Sequence, residues 1–266
     1  MTPAPKSSGR KKPRYGAPAV ERAVELLQLL AEEPAGCTLA QLCKRSNISK
    51  NSVFRILNTL VAADILEKDE DSQKFSIGGK LLGIAFRGTG AGQLTGVALD
   101  FMKQLRDQTG ETVLLGKVLT DRGVVLEQVS GLHPVKVHVE PGTPFLLHSS
   151  APGKAFLAAL PEKERKQRVR HLTLRKQTER TLTNRVVFLK HLKHVSRTGI
   201  AVDLGEDTEG IHCVASAIRD YRNVPIAAVW ITGPASRLGA RQLPSLGKMV
   251  GEIAARISAR FGRADG

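Results

Sequence analysis

Between residues 46 and 60 the chain reads SNISKNSVFRILNTL, and the order of residue types there leaves few choices for what surrounds it. Val53, Ile56, Leu57 and Leu60 recur at spacings of three, four and seven, so they share one stripe of a helix and need a partner to cover them. Lys50, Asn51, Ser52, Arg55, Asn58 and Thr59 fall on the other side. That side carries amides, hydroxyls and cations without a carboxylate, a mixture suited to base edges and phosphates. Plain solvation is the competing reading of such a face, and the neighbouring segments weigh against it.

Upstream, Val20, Ala23, Val24, Leu27 and Leu30 predict an amphipathic helix over residues 19–32, stopped by EPAG at 33–36. Thr38, with Gln41 three residues later, predicts a capping box for a second helix with Leu39, Ala40 and Leu42 or Cys43 on its apolar side. RSNI at 45–48 makes a short turn, and Ser49 is placed to cap the third helix. ILEKD at 65–69 and KFSI at 74–77, separated by EDSQ, predict a hairpin. Helix, helix, turn, helix, wing is the order of a winged helix-turn-helix, here spanning residues 18–78. Its third helix would lie in the major groove of double-stranded DNA. Arg55 would then bind a guanine edge or clamp a phosphate, Asn51 would read adenine, and Lys50, Ser52 and Asn58 would hold phosphates. Gln73 and Lys74 of the wing would touch backbone. Winged helices also serve as protein-docking modules, which stays open as an alternative.

A chain of 266 residues suits two domains, each with its own core. The net charge of +15 is confined to two places: residues 1–14 hold five cations and no acid, and residues 163–197 hold twelve against Glu164 and Glu179. Such local clusters attract polyanions. Residues 1–17, rich in Pro, Gly and Ser, read as a flexible basic arm. No apolar run approaches the roughly 20 residues needed to cross a bilayer, and no signal peptide stands at the start, so a cytoplasmic chain without a membrane partner is expected. Three cysteines without ligand spacing imply reduced thiols, no metal and no cofactor.

Residues 79–94 contain GTGAG, a hinge in a helical linker rather than a dinucleotide loop, because no strand of buried β-branched residues precedes it. A second domain over residues 95–262 opens with a helix to about Thr109 carrying Val97, Phe101, Met102 and Leu105. Strands are predicted at 111–120, 122–130, 134–140, 211–218 and 224–232, and helices at 153–160, 163–171, 185–198 and 241–261. Antiparallel strands with helices grouped around them make an α+β domain. Catalysis is not expected: His148, Ser149 and Ser150 are adjacent and cannot form a relay, no G-x-S-x-G elbow occurs, and Gly153-Lys154 lacks the rest of a phosphate loop.

Residues 18–84 taken together resemble the DNA-binding unit of IclR-type bacterial transcription regulators. The second half carries landmarks in that family's order: TGETV at 109–113, LHSSAPGKAFLA at 147–158, LPE at 160–162, GIAVDLGEDTEGIHCVASAI at 199–218 and WITGPASRL at 230–238. The resemblance implies a homodimer or homotetramer on a palindromic operator, with a GAF-like second domain sensing a small molecule, often an organic or aromatic acid. It places the effector site at Ala151, Pro152, Asp203, Cys213, Trp230 and Thr232. Two departures bear on the ligand. Pro152 has no N–H where family pockets hold a carboxylate, and the Trp230 indole fills space that a small hydroxyl residue often leaves free. A ligand-independent protein whose second domain only oligomerises is the alternative.

Overall fold

Contacts divide the chain into two units, Met1–Thr89 and Gly90–Gly266, and the computed structural model describes residues 16–33, 35–81, 84 and 91–262. Most of the basic arm and half of the glycine-rich linker lie outside the described residues.

The first unit contains α1 (Pro18–Ala31), β1 (Cys37–Thr38), α2 (Leu39–Arg45), α3 (Lys50–Ala62), β2 (Leu66–Lys68) and β3 (Lys74–Ile77). Pro18 opens α1, where a missing N–H costs no intrahelical bond. Leu26, Leu30, Leu42, Val53, Leu57, Leu66 and Phe75 form the core, drawn from every layer of the unit. Leu57→Ala here would cost about 2–5 kcal/mol, the usual toll of a large-to-small change in a packed core.

The apolar stripe expected on α1 holds in part. Leu30 is buried and Leu27 packs against the core as expected, but Val20 and Val24 are 62% and 48% exposed, and Leu26, which the spacing did not single out, is completely buried. VELLQLL offers apolar residues on several sides, so spacing does not choose the face, and the larger leucines are the ones that reach α3.

The capping box forms as expected. Gln41 N donates to Thr38 Oγ1 at 3.3 Å, and Thr38 N donates to Gln41 Oε1 at 2.8 Å. Ser49 occupies the N-cap of α3 but its side chain accepts no backbone N–H, and its hydroxyl donates to Ser52 Oγ at 2.9 Å. The hairpin is joined by the unforeseen β1, which pairs with β3 and gives the order β1-β3-β2. Its turn is set by the Asp69 carboxylate, which accepts from Ser72 N and Oγ, and by Gln73 at φ +56°.

The second unit is a six-stranded antiparallel sheet in the order β6-β5-β4-β9-β8-β7. Its elements are α4 (Ala91–Thr109), β4 (Thr112–Val118), β5 (Arg122–Val129), β6 (Pro144–Leu146), α5 (Ala151–Ala159), α6 (Glu162–His171), α7 (Arg185–Thr198), β7 (Ile200–Leu204), β8 (Ile211–Arg219), β9 (Pro225–Pro234) and α8 (Leu243–Arg260). α4 and α8 pack on one face with Val113, Leu115, Val229 and Ile231. α5, α6 and α7 pack on the other with Leu114, Ala215 and Trp230. Central strands covered on both sides are apolar at successive positions, which is why β4 and β9 read as runs rather than alternations.

Residues 134–140 do not form the expected strand. Pro134 has no N–H to offer a ladder, and the segment is held by side chains instead: Thr112 Oγ1 donates to Val137 O at 2.7 Å, and Val139 N donates to Gln128 Oε1 at 2.6 Å. The edges are supplied by β6 and β7, neither of which was foreseen. α7 has the bounds predicted for it, because Asn184 accepts from Val186 N and Val187 N at its start and Gly199 takes φ +72° at its end. Among the described residues no helix is long and apolar enough to cross a membrane.

Candidate nucleic-acid interface and ligand cavity

On α3, burying Val53 and Leu57 turns Lys50, Asn51, Arg55 and Asn58 outward, all exposed, with Ser52 half-buried and bonded to Ser49. Gln73 is exposed and Lys74 half-buried on β3 or beside it. Lys50, Asn58 and Gln73 meet across an open groove of about 530 Å³ between α2, α3 and the wing, together with Lys68 and Phe54. Asn51, Ser52, Arg55 and Lys74 lie outside its lining. Phe54 was not anticipated. It follows the stripe residue Val53 and is 54% exposed, an apolar contact surface of the kind that meets thymine methyl groups. The wing tip is acidic, with Asp69, Glu70 and Asp71 exposed, and the Ser72 hydrogen bonds hold the Asp69 carboxyl below its ordinary value. The cations of the wing, Lys68 and Lys74, stand on its strands and not at its tip.

In the second unit, strand register assembles residues that are far apart in the chain. Asp203 on β7 stands opposite Cys213 on β8, which stands opposite Thr232 on β9, so three of the residues implicated by resemblance form one row across the sheet. Trp230 lies two residues along on the same face, beside Leu114 of β4. Pro152, in the first turn of α5, closes the row from above, around a cavity of about 250 Å³. Ala151 is completely buried in the neighbouring core and does not line that cavity.

The remaining wall was not legible beforehand. Leu114, Val125, Val137, Val139 and Phe145 make it apolar, while Ser150, Asp207 and Thr208 add polar atoms. Phe145 meets Trp230 edge to face, with ring centroids 5.4 Å apart. Gly116 and Gly123 make this possible, since a Cβ on either would sit within 3 Å of the Phe145 ring. The glycines of RGVV and LLGK were therefore the available signal for an aromatic lying flat on the sheet.

Behind the cavity sits a cluster of charge. Lys154 is completely buried, and its ammonium donates to Glu206 Oε1. Glu206 Oε2 has no hydrogen-bond partner among the described residues. Asp203 Oδ1 accepts from Glu206 N at 2.6 Å and from Asp207 N at 3.4 Å, and Ser149 donates to Asp207. Burial pushes the Asp203 carboxyl up to about 7 against the pull of Lys154, and raises Glu206 by the same cause. Burial also raises the Cys213 thiol, which stays protonated and donates to Thr232 Oγ1 at 3.3 Å. The same desolvation lowers His191 to about 4, helped by Lys154 and His194, and lowers His148, whose Nε2 lies 2.8 Å from Arg175 O.

The landmark motifs thus meet as ion pairs. GKA of α5 meets GED after β7 through Lys154 and Glu206, and TGETV meets WITGPASRL through Glu111, which takes both Nε and Nη2 of Arg237. Among the described residues no group of three or more His, Cys, Asp or Glu is arranged to hold a metal, and all three cysteines are free. The basic segment 163–197 lies on α6, α7 and the loop between them. Lys163, Arg170, Lys190 and Lys193 are exposed there, whereas Lys166 and Lys176 pair with Glu162 and Glu179.

Comparison with known proteins agrees with both halves. The "IclR helix-turn-helix domain" family matches residues 19–70, and "Bacterial transcriptional regulator IclR C-terminal" matches residues 90–259. The chain is 31% identical over 253 residues to the HTH-type transcriptional regulator BhcR of Paracoccus denitrificans, covering 94% of this chain and 88% of that protein. It is 30% identical to the HTH-type transcriptional repressor AllR of Escherichia coli, covering 93% and 91%. Its structure is similar to IclR of Thermotoga maritima, with a TM-score of 0.77 at 26% identity over 92% of this chain and 99% of that one. An IclR homologue from Microbacterium hydrocarbonoxydans, solved with 4-hydroxybenzoate, gives 0.76 at 23% identity over 92% and 99%. These relatives are regulators and not enzymes, and with both units matched along almost the whole chain, the protein belongs to the IclR family of bacterial transcriptional regulators.

Proposed function

We propose that this protein is a cytoplasmic, sequence-specific DNA-binding regulator whose operator affinity is set by a small molecule held in the cavity beside Trp230. The observation that carries the reading is the row Asp203, Cys213, Thr232, closed by Pro152 and Trp230 over about 250 Å³ in a unit that contains no part of α3. That volume is below the ~300 Å³ at which drug-sized pockets begin, which favours a single ring or a short branched chain. Arg55 and Asn51 are the base-reading residues, Lys50, Ser52 and Asn58 the phosphate-holding ones, and Gln73 and Lys74 the wing contacts. The working species is a homodimer or a homotetramer on a palindromic operator, presenting two copies of α3 about one duplex turn apart. A ligand that prefers one arrangement of the two reading heads shifts the population toward it, and affinity for the fixed half-site spacing changes accordingly.

Trp230, the single tryptophan and 4% exposed, lines the cavity, so its emission reports occupancy. Titrating small organic compounds should give saturable emission changes in some cases, and the same compounds should alter operator retardation on gels. Emission that stays unchanged across a broad panel, with operator binding intact, would favour a ligand-independent regulator that uses this domain only to oligomerise.

A further inference from the structure

The polar end of the cavity offers acceptors where an acid would need donors. Asp203 and Asp207 both line it, and no Lys, Arg or His does so among the described residues. Lys154, the cation that acts on Asp203, is completely buried with its ammonium given to Glu206. The first turn of α5 provides little in compensation. Pro152 has no N–H, Gly153 N donates to Ser150 Oγ at 3.3 Å, and Lys154 N donates to Ser150 O at 3.1 Å. Ala151 is left as the remaining donor of that turn, and it does not line the cavity. The Cys213 thiol is likewise committed, to Thr232 Oγ1.

From this arrangement we infer that the cavity takes an uncharged molecule with a small apolar body and hydrogen-bond donors, an alcohol, phenol or primary amide, and discriminates against carboxylates. The inference rests on the effector reading above and narrows it, against the organic acid expected by resemblance. The ligand's apolar body lies on Leu114, Val125, Phe145 and Trp230, and its O–H or N–H groups donate to Asp207 and Asp203. A carboxylate placed there would lose its water beside Asp207, a group of its own charge, and beside Asp203, which adds to the repulsion when ionised, with no cation among the described lining residues, so desolvation and like charge act in the same direction. The Thr143, Thr208 and Thr232 hydroxyls adapt to either partner and supply no charge. Discrimination therefore comes from repulsion of the wrong ligand as much as from attraction of the right one.

The test uses the full-length protein and Trp230 emission, with matched pairs that differ only at the polar group. 4-Hydroxybenzyl alcohol and 4-hydroxybenzamide are set against 4-hydroxybenzoate, and 3-methylbutanamide against 3-methylbutanoate, within a panel of such pairs. Neutral members are expected to saturate roughly tenfold or more below the concentration their acids require, the scale of one uncompensated like-charge contact. Asp207→Asn should narrow that ratio by admitting the acids, whereas a merely structural loss would weaken both members alike, and thermal melting of the variant separates the two cases. Acids binding as tightly as, or more tightly than, their neutral counterparts overturn the ligand class and leave effector sensing intact. No response from any pair, with the melting temperature also unmoved, overturns effector sensing in this cavity along with the inference.

Discussion

Replacing Lys154 by Met should destabilise the second unit strongly at high pH and weakly at low pH. The ammonium is completely buried and neutralises Glu206 while lowering Asp203, both of which burial already raises above their ordinary values. Methionine replaces all but the terminal atom of the unbranched lysine side chain, so packing changes little and charge carries most of the effect. Removing one partner of a buried pair typically costs about 3–5 kcal/mol, because the survivor is left uncompensated. At about 2–4 °C per kcal/mol for a unit of this size, melting falls by roughly 6–20 °C. A folded carboxyl whose pKa lies above its unfolded value holds a proton the unfolded chain has lost, so stability declines as pH rises between the two values. For Asp203 in the unaltered protein that window runs from 3.8 to about 7. Without Lys154 both carboxyls rise further, and the loss deepens toward alkaline pH. Urea unfolding followed by Trp230 emission, at about pH 5.5 and about pH 8, measures both quantities. The double variant Lys154→Met/Glu206→Gln should recover a large part of the alkaline loss. A cost below about 1 kcal/mol at about pH 8, or an equal cost at both pH values, would refute the reasoning.

Other outcomes are expected elsewhere in the molecule. Arg55→Ala, at an exposed position on α3, should weaken specific operator binding by about 1–3 kcal/mol with circular dichroism unchanged; a footprint identical to that of the unaltered protein removes Arg55 from its assigned role. Exchanging Lys163, Arg170, Lys190 and Lys193 for Gln should flatten the salt dependence of DNA binding by about one unit of slope for each phosphate that a cation ceases to neutralise, and an unaltered slope shows that this face never meets phosphate. Gly153→Ala puts a Cβ 2.4 Å from Leu147 Cα and 2.6 Å from Leu147 O, both main-chain atoms, so a loss of about 1–3 kcal/mol is expected in denaturant titration. Thr38→Ala removes one half of the capping box and should cost about 1 kcal/mol in the first unit, read from the helical signal during urea unfolding.

The parts that were legible in advance are those with local causes. The α3 stripe, the Thr38–Gln41 box and the 185–198 bounds of α7 each rest on a few neighbouring residues, and each appears where spacing put it; in α7 the structure shows Asn184 and Gly199 as the local cause. The failures occur where a partner decides. α1 has apolar residues on several sides, so only its packing selects Leu26 and Leu30 over Val20 and Val24. Residues 134–140 alternate like a strand, yet Thr112 and Gln128 side chains take the backbone bonds a neighbouring strand would have used. The residues that resemblance assigns to an effector site gather round one cavity, Ala151 excepted, but no periodicity in the chain singles out Asp203 or Cys213.

By itself the chain determined its two-part plan, the reading helix and its outward polar face, because helical periodicity and capping act within a turn or two. Only the tertiary structure decided that Lys154 would answer Glu206 and that Asp203, Cys213 and Thr232 would stand in one row. Strand register and burial bring together groups that are distant in the chain, and the charge left facing a cavity is known only once every buried cation has found its partner.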